Sequence, residues 1–360
     1  MLSRGAAKKQ EKVIVGMSGG VDSSVAAALL VKQGYQVTGV TMKTGSEGGI
    51  EYAGGCFGPA QQDGIASARR VAAKLGIPFH VIGLAGEFKR SVLDHFCREY
   101  LAGNTPNPCV RCNRLIKFGA LWEKALAAGI EADFFASGHY ARVEPGEGGR
   151  YLLKRGRDGK KDQSYFLYGL DQSQLARTLF PLGGYLKQEV RNLCVELELG
   201  VETRKESQDF AGGDYAGLFE GEAVPGPVVD KLGNILGKHK GIVYYTRGQR
   251  RGLAVASQEP LYVLDIRAET NSVVVGSEND LRMEKQVVDG LNWIAVQSLN
   301  EPVQAIARIR SSHKGYAAVV ETLENGKALV TYREPQIGAA RGQSIVFYDG
   351  DIVVGGGIVE

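Results

Sequence analysis

Residues 13–24 read Val13-Ile14-Val15-Gly16-Met17-Ser18-Gly19-Gly20-Val21-Asp22-Ser23-Ser24, and this stretch decides the fold. The β-branched run Val13-Ile14-Val15 predicts a strand buried on both faces. Ser18-Gly19-Gly20 marks a turn, and the Ala/Leu/Val-rich segment from Val25 to Val31 predicts a helix that Gly34 ends. A second apolar run, Val37 to Met42, completes a strand, glycine turn, helix, strand unit. Paired glycines let backbone N–H groups approach an anion closely, and the helix start adds the positive end of its dipole. Ser18, Ser23 and Ser24 add hydroxyl donors, and Asp22 is a candidate ligand for a magnesium ion near bound phosphates. No Lys-Ser or Lys-Thr pair follows, which excludes the mononucleotide P-loop, and the glycine spacing excludes the dinucleotide fingerprint.

A chain of 360 residues predicts two or three domains. With 44% hydrophobic and 23% charged residues, its composition is that of a soluble globular protein, and no apolar run reaches the ~18 residues of a membrane span. Residues 3–12 are polar and basic, with no signal-peptide pattern, and residues 1–12 are expected to be a disordered tail of a cytoplasmic protein. A net charge of +3 permits nucleic-acid binding without arguing for it, so any basic surface must be local. Five cysteines without a secretion signal suggest reduced thiols used for chemistry or metal rather than a disulfide framework.

Beyond the second strand, the glycine-rich stretch Thr44–Pro59 contains Cys56 and is expected to be a mobile loop. Helices are predicted over Gln61–Leu75, Phe88–Leu101, Leu115–Ala127, Gln172–Thr178 and Leu186–Leu197, and strands over Phe79–Ile82 and Phe134–Ala136. This alternation means a doubly wound α/β parallel sheet, whose ligands collect at the C-terminal ends of its strands. Ser137-Gly138-His139-Tyr140 follows one such strand. The charge run Lys154–Lys161 reads as a solvated hairpin tip. Past about residue 210 short β-type runs take over: Gly241–Tyr245, Leu261–Leu264, Ser272–Val275, Ala305–Ile309, Ala317–Glu321, Ala328–Tyr332 and Ile345–Tyr348. Asp349-Gly350 signals a hairpin. The expected division is a catalytic domain over 13–210, a small β-rich domain over 211–283 and a C-terminal β-barrel over 284–360.

The second constellation is Cys109-Val110-Arg111-Cys112, directly after Thr105-Pro106-Asn107-Pro108, where the prolines argue for a loop. Such a pair can be a redox couple, two metal ligands or sulfur-handling nucleophiles. Neighbouring Arg111 and Arg114 favour the thiolate, whereas Cys97 and Cys194 lie on helix faces and read as structural.

The string SGGVDSS resembles the pyrophosphate loop of enzymes that cleave ATP between its α and β phosphates. Together with TPNPCVRCNRLIKF, ASGHYARV, KDQSYFLYGL, RKESQDF, YYTRGQRRGL and GQSIVFYDGDIVVGGGIVE, in that order, it makes nearly the whole chain similar to the tRNA-specific 2-thiouridylases. The resemblance implies a pyrophosphate-loop domain, a central β domain and a C-terminal β-barrel. It also implies ATP-dependent replacement of the C2 oxygen of the wobble uridine by sulfur, carried by a protein persulfide. By the same resemblance Gly16, Met17, Ser18, Gly19, Gly20, Val21, Asp22 and Ser23 hold ATP, with Met42 near the adenine and Gly138 closing the site. Cys112 matches the nucleophile, and Asn107 and Pro108 match residues beside the target base. His139, Gln343, Lys161, Asp162, Gln163, Arg310 and Ser311 match tRNA-contacting positions.

Two departures stand out. Cys109 replaces an aspartate common in the family, and the second catalytic cysteine usual after the KESQD-like segment is absent from Lys205–Gly213. Cys109 or Cys56 then takes the persulfide role, or Cys56, Cys109 and Cys112 hold a [4Fe–4S] cluster, as in other pyrophosphate-loop tRNA thiolases. The partners implied are tRNA and a sulfur-donor protein or sulfide, acting on a monomer. The competing reading is a tRNA-binding paralogue whose sulfur chemistry is lost.

Overall fold

The computed structural model describes residues 11–45, 60–204, 210, 215–219, 221–253 and 255–360. Their contacts divide the chain into two units, Met1–Val92 with Cys109–Asp214 and Gly350–Val353, and Leu93–Pro108 with Tyr215–Asp349 and Val354–Glu360.

The first unit is built on a five-stranded parallel sheet. Its strands are β1 (Lys12–Gly16), β2 (Gln36–Lys43), β3 (Phe79–Gly83), β4 (Phe134–Ser137) and, after a β-hairpin of β5 (Ala141–Pro145) and β6 (Tyr151–Arg155), β7 (Thr178–Leu179). The order is β3-β2-β1-β4-β7. The chain winds outward from β1 to β3 and then returns to β4 on the other side, so the direction reverses between β1 and β4. Gly16 is in register with Val40 on one side and with Ser137 on the other, which brings the ends of β1 and β4 level, while β2 runs on to Lys43. Val13, Ile14 and Val15 are buried, as a central strand requires.

The helix Val21–Lys32 packs under this edge with apolar residues all round, Val25, Ala26 and Ala27 being fully buried. Its alanines permit close approach on every face, including that of the helix Lys187–Glu196. Lys12, expected in a disordered tail, instead opens β1: its amide donates to Asp133 at 2.8 Å, and the Glu11 carbonyl accepts from Gln36. The first ten residues of the tail expected over 1–12 lie outside the described residues, as does most of the loop expected over 44–59.

Two helices differ from their sequence-based expectation. The segment Phe88–Leu101 divides into Ala85–Phe88, a π-helical stretch Lys89–Leu93 and Asp94–Leu101. The Cys109–Cys112 segment is helical rather than a loop: a helix starts at Pro108, widens to π geometry over Asn113–Ala120 and continues to Ala127. Proline is barred from a helix interior but suits its first position, where no N–H is needed. Widening strands carbonyls, and Gln174 takes up two of them, donating to Arg114 O at 2.8 Å and Phe118 O at 3.2 Å.

The second unit is β-rich. Strands β8 (Gly226–Val229), β9 (Ile235–His239), β10 (Tyr262–Arg267) and β11 (Ser272–Gly276) form a sheet ordered β10-β11-β8-β9. The expected strand over Gly241–Tyr245 is a 3-10 turn, Ile242–Tyr244, following Gly241 at φ 152°. A closed antiparallel barrel follows from β12 (Arg282–Trp293), β13 (Val303–Arg308), β14 (Tyr316–Thr322), β15 (Ala328–Ile337), β16 (Ser344–Asp349) and β17 (Ile352–Val359). The order is β12-β15-β14-β13-β16-β17, and β12 pairs with β17 to close it. Alternate residues Ala305, Ala307, Ala318, Val320, Ala328, Val330, Ile345 and Phe347 point inward and fill it.

Candidate functional site

The loop after β1 is held open by its own hydroxyls. The Ser18 amide donates to Ser23 Oγ at 3.1 Å, the two serine hydroxyls are 3.2 Å apart, and Ser24 Oγ donates to Gly20 O at 2.8 Å. Gly20 caps the helix with extended backbone and no side chain over the first turn. Gly19 has φ +79°, and a Cβ there would lie 2.1 Å from Gly64 O. A Cβ at Gly138 would lie 2.7 Å from Asp22 C and Ser23 N. Both glycines are therefore required by close approach of the protein's own backbone, whereas it is Gly20, without a side chain, that leaves the first-turn amides uncapped for an anion. Met42 is half-buried at the end of β2, adjacent to β1 in the sheet.

Asp22 is the loop's only carboxylate, and two side chains from distant segments reach it. Lys187 Nζ lies 2.7 and 2.8 Å from its two oxygens, and Tyr140 OH donates to Oδ1 at 2.8 Å. Lys187 Nζ also lies 5.8 Å from the Tyr140 ring centroid. Lys187 is only 7% exposed although it is the first residue of its helix, where the dipole disfavours a cation. The sequence reading assigned no role to Lys187 or Tyr140. A lysine at a helix start was the available signal, since such a cation needs a nearby anion to hold it.

His139 follows Gly138 and is flanked by Phe118 and Phe180 at 5.9 and 6.1 Å between ring centroids. Its Nδ1 lies 2.7 Å from Ser137 Oγ. Desolvation, and then the charge of Lys117, hold its pKa well below the usual 6.5, so the imidazole is neutral at physiological pH.

The charge run Lys154–Lys161 is not a hairpin tip: Lys154 and Arg155 belong to β6, and the remainder forms the loop after it. Within it Lys154 pairs with Glu144 at 2.8 Å, Arg155 with Asp162 at 3.1 Å and Arg157 with Glu189 at 3.2 Å. Lys160 is exposed, Lys161 half-buried, and Asp162 buried. Asp162 accepts from Arg155 Nε, the Gly156 amide and the Ser164 amide at 3.1–3.2 Å, which makes it an internal anchor. Gln163 faces Tyr140: its amide donates to Tyr140 O at 2.9 Å and its Oε1 accepts from the Tyr140 amide at 3.0 Å.

Cys109 is half-buried and Cys112 buried, one helical turn apart on the helix that begins at Pro108. No disulfide joins the four described cysteines. Next to Cys112, Asn113 is 2% exposed and donates to Phe166 O at 3.0 Å, while its Oδ1 has no hydrogen-bond partner in the structure. Burial, and then Glu202, push the Cys194 thiol up to about 11, and Cys97 Sγ lies 4.0 Å from Leu218 O. Cys56 lies outside the described residues, as do Lys205–Asp209. Among the described residues no group of three His, Cys, Asp or Glu side chains is placed to hold a metal. The described cysteine pair supplies two cluster ligands and no third, so no step is derived through a cluster.

In the second unit Gln343 Nε2 donates to Thr105 O at 2.8 Å, and the Thr105 amide donates to Arg341 O at 2.7 Å. The segment Arg341–Gln343 thus holds the chain just before Asn107 and Pro108, both half-buried. Arg310 is exposed and Ser311 half-buried in the turn after β13.

Comparison with known proteins gives this geometry a family. The family described as tRNA methyl transferase HUP domain matches residues 11–211, its PRC-barrel domain matches 219–277, and an aminomethyltransferase β-barrel domain matches 283–359. The tRNA-specific 2-thiouridylase MnmA 1 of Clostridium botulinum (strain Loch Maree / Type A3) is 46% identical over 360 residues, covering 98% of this chain and 99% of that protein. The tRNA-specific 2-thiouridylase MnmA of Clostridium perfringens is also 46% identical over 360 residues, again covering 98% and 99%. The chain belongs to the tRNA-specific 2-thiouridylase family. Among solved structures, a 4-thiouridine synthetase–RNA complex with bound ATP aligns with 57% of this chain and 46% of that one, at 17% identity and a TM-score of 0.37. No described helix of this 2-thiouridylase family member is long and apolar enough to cross a membrane.

Proposed function

We propose that this protein is a tRNA 2-thiouridylase that adenylates the C2 oxygen of the wobble uridine and then replaces it with sulfur. The reading rests chiefly on the pairing of an open pyrophosphate loop, Gly16–Ser23, with the Cys109–Cys112 turn in one unit. Methyl transfer, which the family description mentions, uses neither.

ATP fits the loop, because Gly20 caps the helix start without a side chain and leaves its first-turn amides uncapped for phosphate. Backbone amides at the helix start hold phosphate, and Lys187 is the buried cation beside them. Asp22 is the loop's one carboxylate and would hold a magnesium ion shared with the phosphates only by giving up part of its contact with Lys187 Nζ and Tyr140 OH. A bound ion would supply positive charge beside the phosphates. Met42 borders the adenine and Gly138 closes the site.

The uridine C2 oxygen attacks the α-phosphorus, the α–β bond breaks, and pyrophosphate departs. AMP is now the leaving group on C2. The terminal sulfur of a persulfide on Cys109, loaded by sulfane-sulfur transfer from a persulfide on a sulfur-donor protein whose own thiol is released, bonds to C2. Cys112, one turn away, then displaces that sulfur by attacking Cys109 Sγ, and AMP is expelled. The Cys109–Cys112 disulfide so formed is returned to thiols by an external dithiol. A cluster on Cys56, Cys109 and Cys112 is the alternative sulfur carrier, and the anaerobic visible spectrum separates the two.

For tRNA, His139 is a neutral imidazole suited to hydrogen bonding with a base rather than pairing with phosphate. Asn107 and Pro108 border the target base, which must leave its stack to react. Lys161, Gln163, Arg310, Ser311 and Gln343 are further contact candidates, whereas Asp162 serves by shaping its loop. Three functional domains, 13–210, 211–283 and 284–360, acting in a cytoplasmic monomer complete the proposal.

The test is incubation with ATP, magnesium, a persulfide donor and unmodified tRNA. AMP, pyrophosphate and 2-thiouridine by mass spectrometry are expected. Formation of ADP and phosphate would overturn the adenylation step, and tRNA binding without 2-thiouridine would favour the non-thiolating paralogue.

A further inference from the structure

Asp22 is held by two side chains, and the loop Gly156–Gln163 grips the backbone of both. Asp158 Oδ2 accepts from the Lys187 amide at 2.9 Å, while Lys187 Nζ reaches Asp22. Gln163 exchanges two hydrogen bonds with the backbone of Tyr140, while Tyr140 OH reaches Asp22. Between the two grips lie Lys160 and Lys161. The loop is not slack: buried Asp162 fixes both its ends, and Asp158 accepts the Lys160 amide at 3.0 Å.

We propose that Asp158 is a positioning residue that couples polyanion binding at Lys160 and Lys161 to the placement of Lys187 and Asp22. A phosphate backbone docking on the two lysines loads a loop that is rigid within itself. The load passes to the Lys187 amide through Asp158 and to the Tyr140 backbone through Gln163. Both arms end on the one carboxylate of the nucleotide loop. Occupancy by tRNA and affinity for nucleotide are thereby linked, and the linkage is reciprocal. Asp158 touches neither phosphate nor the reacting atoms; its carboxylate accepts the Lys187 and Lys160 amides at 2.9 and 3.0 Å, and its carbonyl accepts the Lys161 amide at 3.0 Å.

The inference deepens the proposed function and rests on it for the identity of the polyanion. Its test uses binding, so that the two fail separately. The affinity of α,β-methylene-ATP, which cannot be cleaved at that bond, is measured with and without saturating unmodified tRNA transcript. In the native protein tRNA is expected to change that affinity by about tenfold, a coupling of ordinary size. In Asp158→Ala the factor falls to about one or two, with tRNA affinity and the nucleotide affinity of the tRNA-free protein unchanged within twofold. Asp158→Asn, which keeps one acceptor oxygen and the side-chain volume, gives an intermediate factor and guards against misfolding of the alanine variant. An unchanged factor in both variants, or no effect of tRNA in the native protein, overturns the coupling. Intact coupling without AMP formation in the turnover assay overturns the thiolation reading instead.

Discussion

Lys187 Nζ contacts both carboxylate oxygens of Asp22, 165 residues away in sequence, at 2.7 and 2.8 Å. Lys187→Met is expected to lower AMP formation by about a hundredfold or more, the scale on which a preorganised cation at developing phosphate charge acts. Asp22→Asn should be comparably inactive. Because the residues touch, Lys187→Met with Asp22→Asn should cost much less than the two losses combined. Steady-state pyrophosphate release for the four proteins checks this, and full additivity would show that the pair does not act as a unit.

Cys112→Ser is expected to abolish 2-thiouridine formation while pyrophosphate release continues, because adenylation needs no thiol. Cys109→Ser should also form no 2-thiouridine, because it removes the thiol that carries the persulfide. Cys194→Ala should retain full activity: its thiol is buried among apolar side chains, with a pKa pushed up to about 11, and so carries almost no thiolate at neutral pH. Mass spectrometry of tRNA nucleosides separates the three, and full thiolation by Cys112→Ser would remove the sulfur-transfer assignment.

Lys160→Ala with Lys161→Ala should weaken binding of all tRNAs about equally. Each lost phosphate contact flattens the slope of log affinity against log salt by about 0.7 to 0.9. Filter binding across a salt series measures both quantities. Equal affinity and slope would mean that the two lysines contact no phosphate.

What was legible in the sequence and what was not follow from the range of the interactions. The run Val13–Val15, the glycine turn and the alanine-rich helix are local signals, and each element formed where its pattern indicated. Pro108 was misjudged because one property, a missing N–H, both bars proline from a helix interior and suits it to a helix start. The charge run looked solvated because Glu144 and Glu189, which neutralise Lys154 and Arg157, lie outside it in sequence. Gly241–Tyr245 has β-type composition, but it folds into a turn. The Asp22–Lys187 pair had no local signature beyond a lysine in an unfavourable place. The family resemblance supplied candidate roles, whereas the positions of Asp162 and Gln343 inside hydrogen-bond networks came from the fold alone.

His139 gives a pH dependence of definite sign. Its folded pKa lies well below the ordinary 6.5, with desolvation as the main cause. Above pH ~6.5 the ring is neutral in both folded and unfolded chains and imposes no penalty. As pH falls below that value the unfolded chain takes up a proton that the folded protein refuses, so stability declines towards the depressed folded pKa. The melting temperature should therefore drop from about pH 7 to pH 5.5, and His139→Gln, which cannot titrate, should drop less. Parallel melting curves of the two proteins across this range decide it.

Gln343 holds Thr105 from the barrel, donating to its carbonyl at 2.8 Å, while Arg341 O accepts the Thr105 amide at 2.7 Å. Gly342 between them has φ +84°, and a Cβ there would lie 3.1 Å from Thr105 N. Gly342→Ala should thus destabilise the protein by about 1–2 kcal/mol, from the left-handed backbone and the tight contact together. Gln343→Ala removes a neutral donor, so it should leave the salt slope of tRNA binding unchanged. It should instead free the Thr105 carbonyl and loosen the chain that leads to Asn107 and Pro108. Amide exchange at Asn104 to Asn107 is expected to quicken, and kcat/KM for tRNA to fall by about tenfold, a typical cost of misplacing a positioning segment. If activity falls while amide exchange stays as in the native protein, Gln343 acts by touching the tRNA. If exchange quickens as well, its first task is to set the shape of the segment that meets the target base.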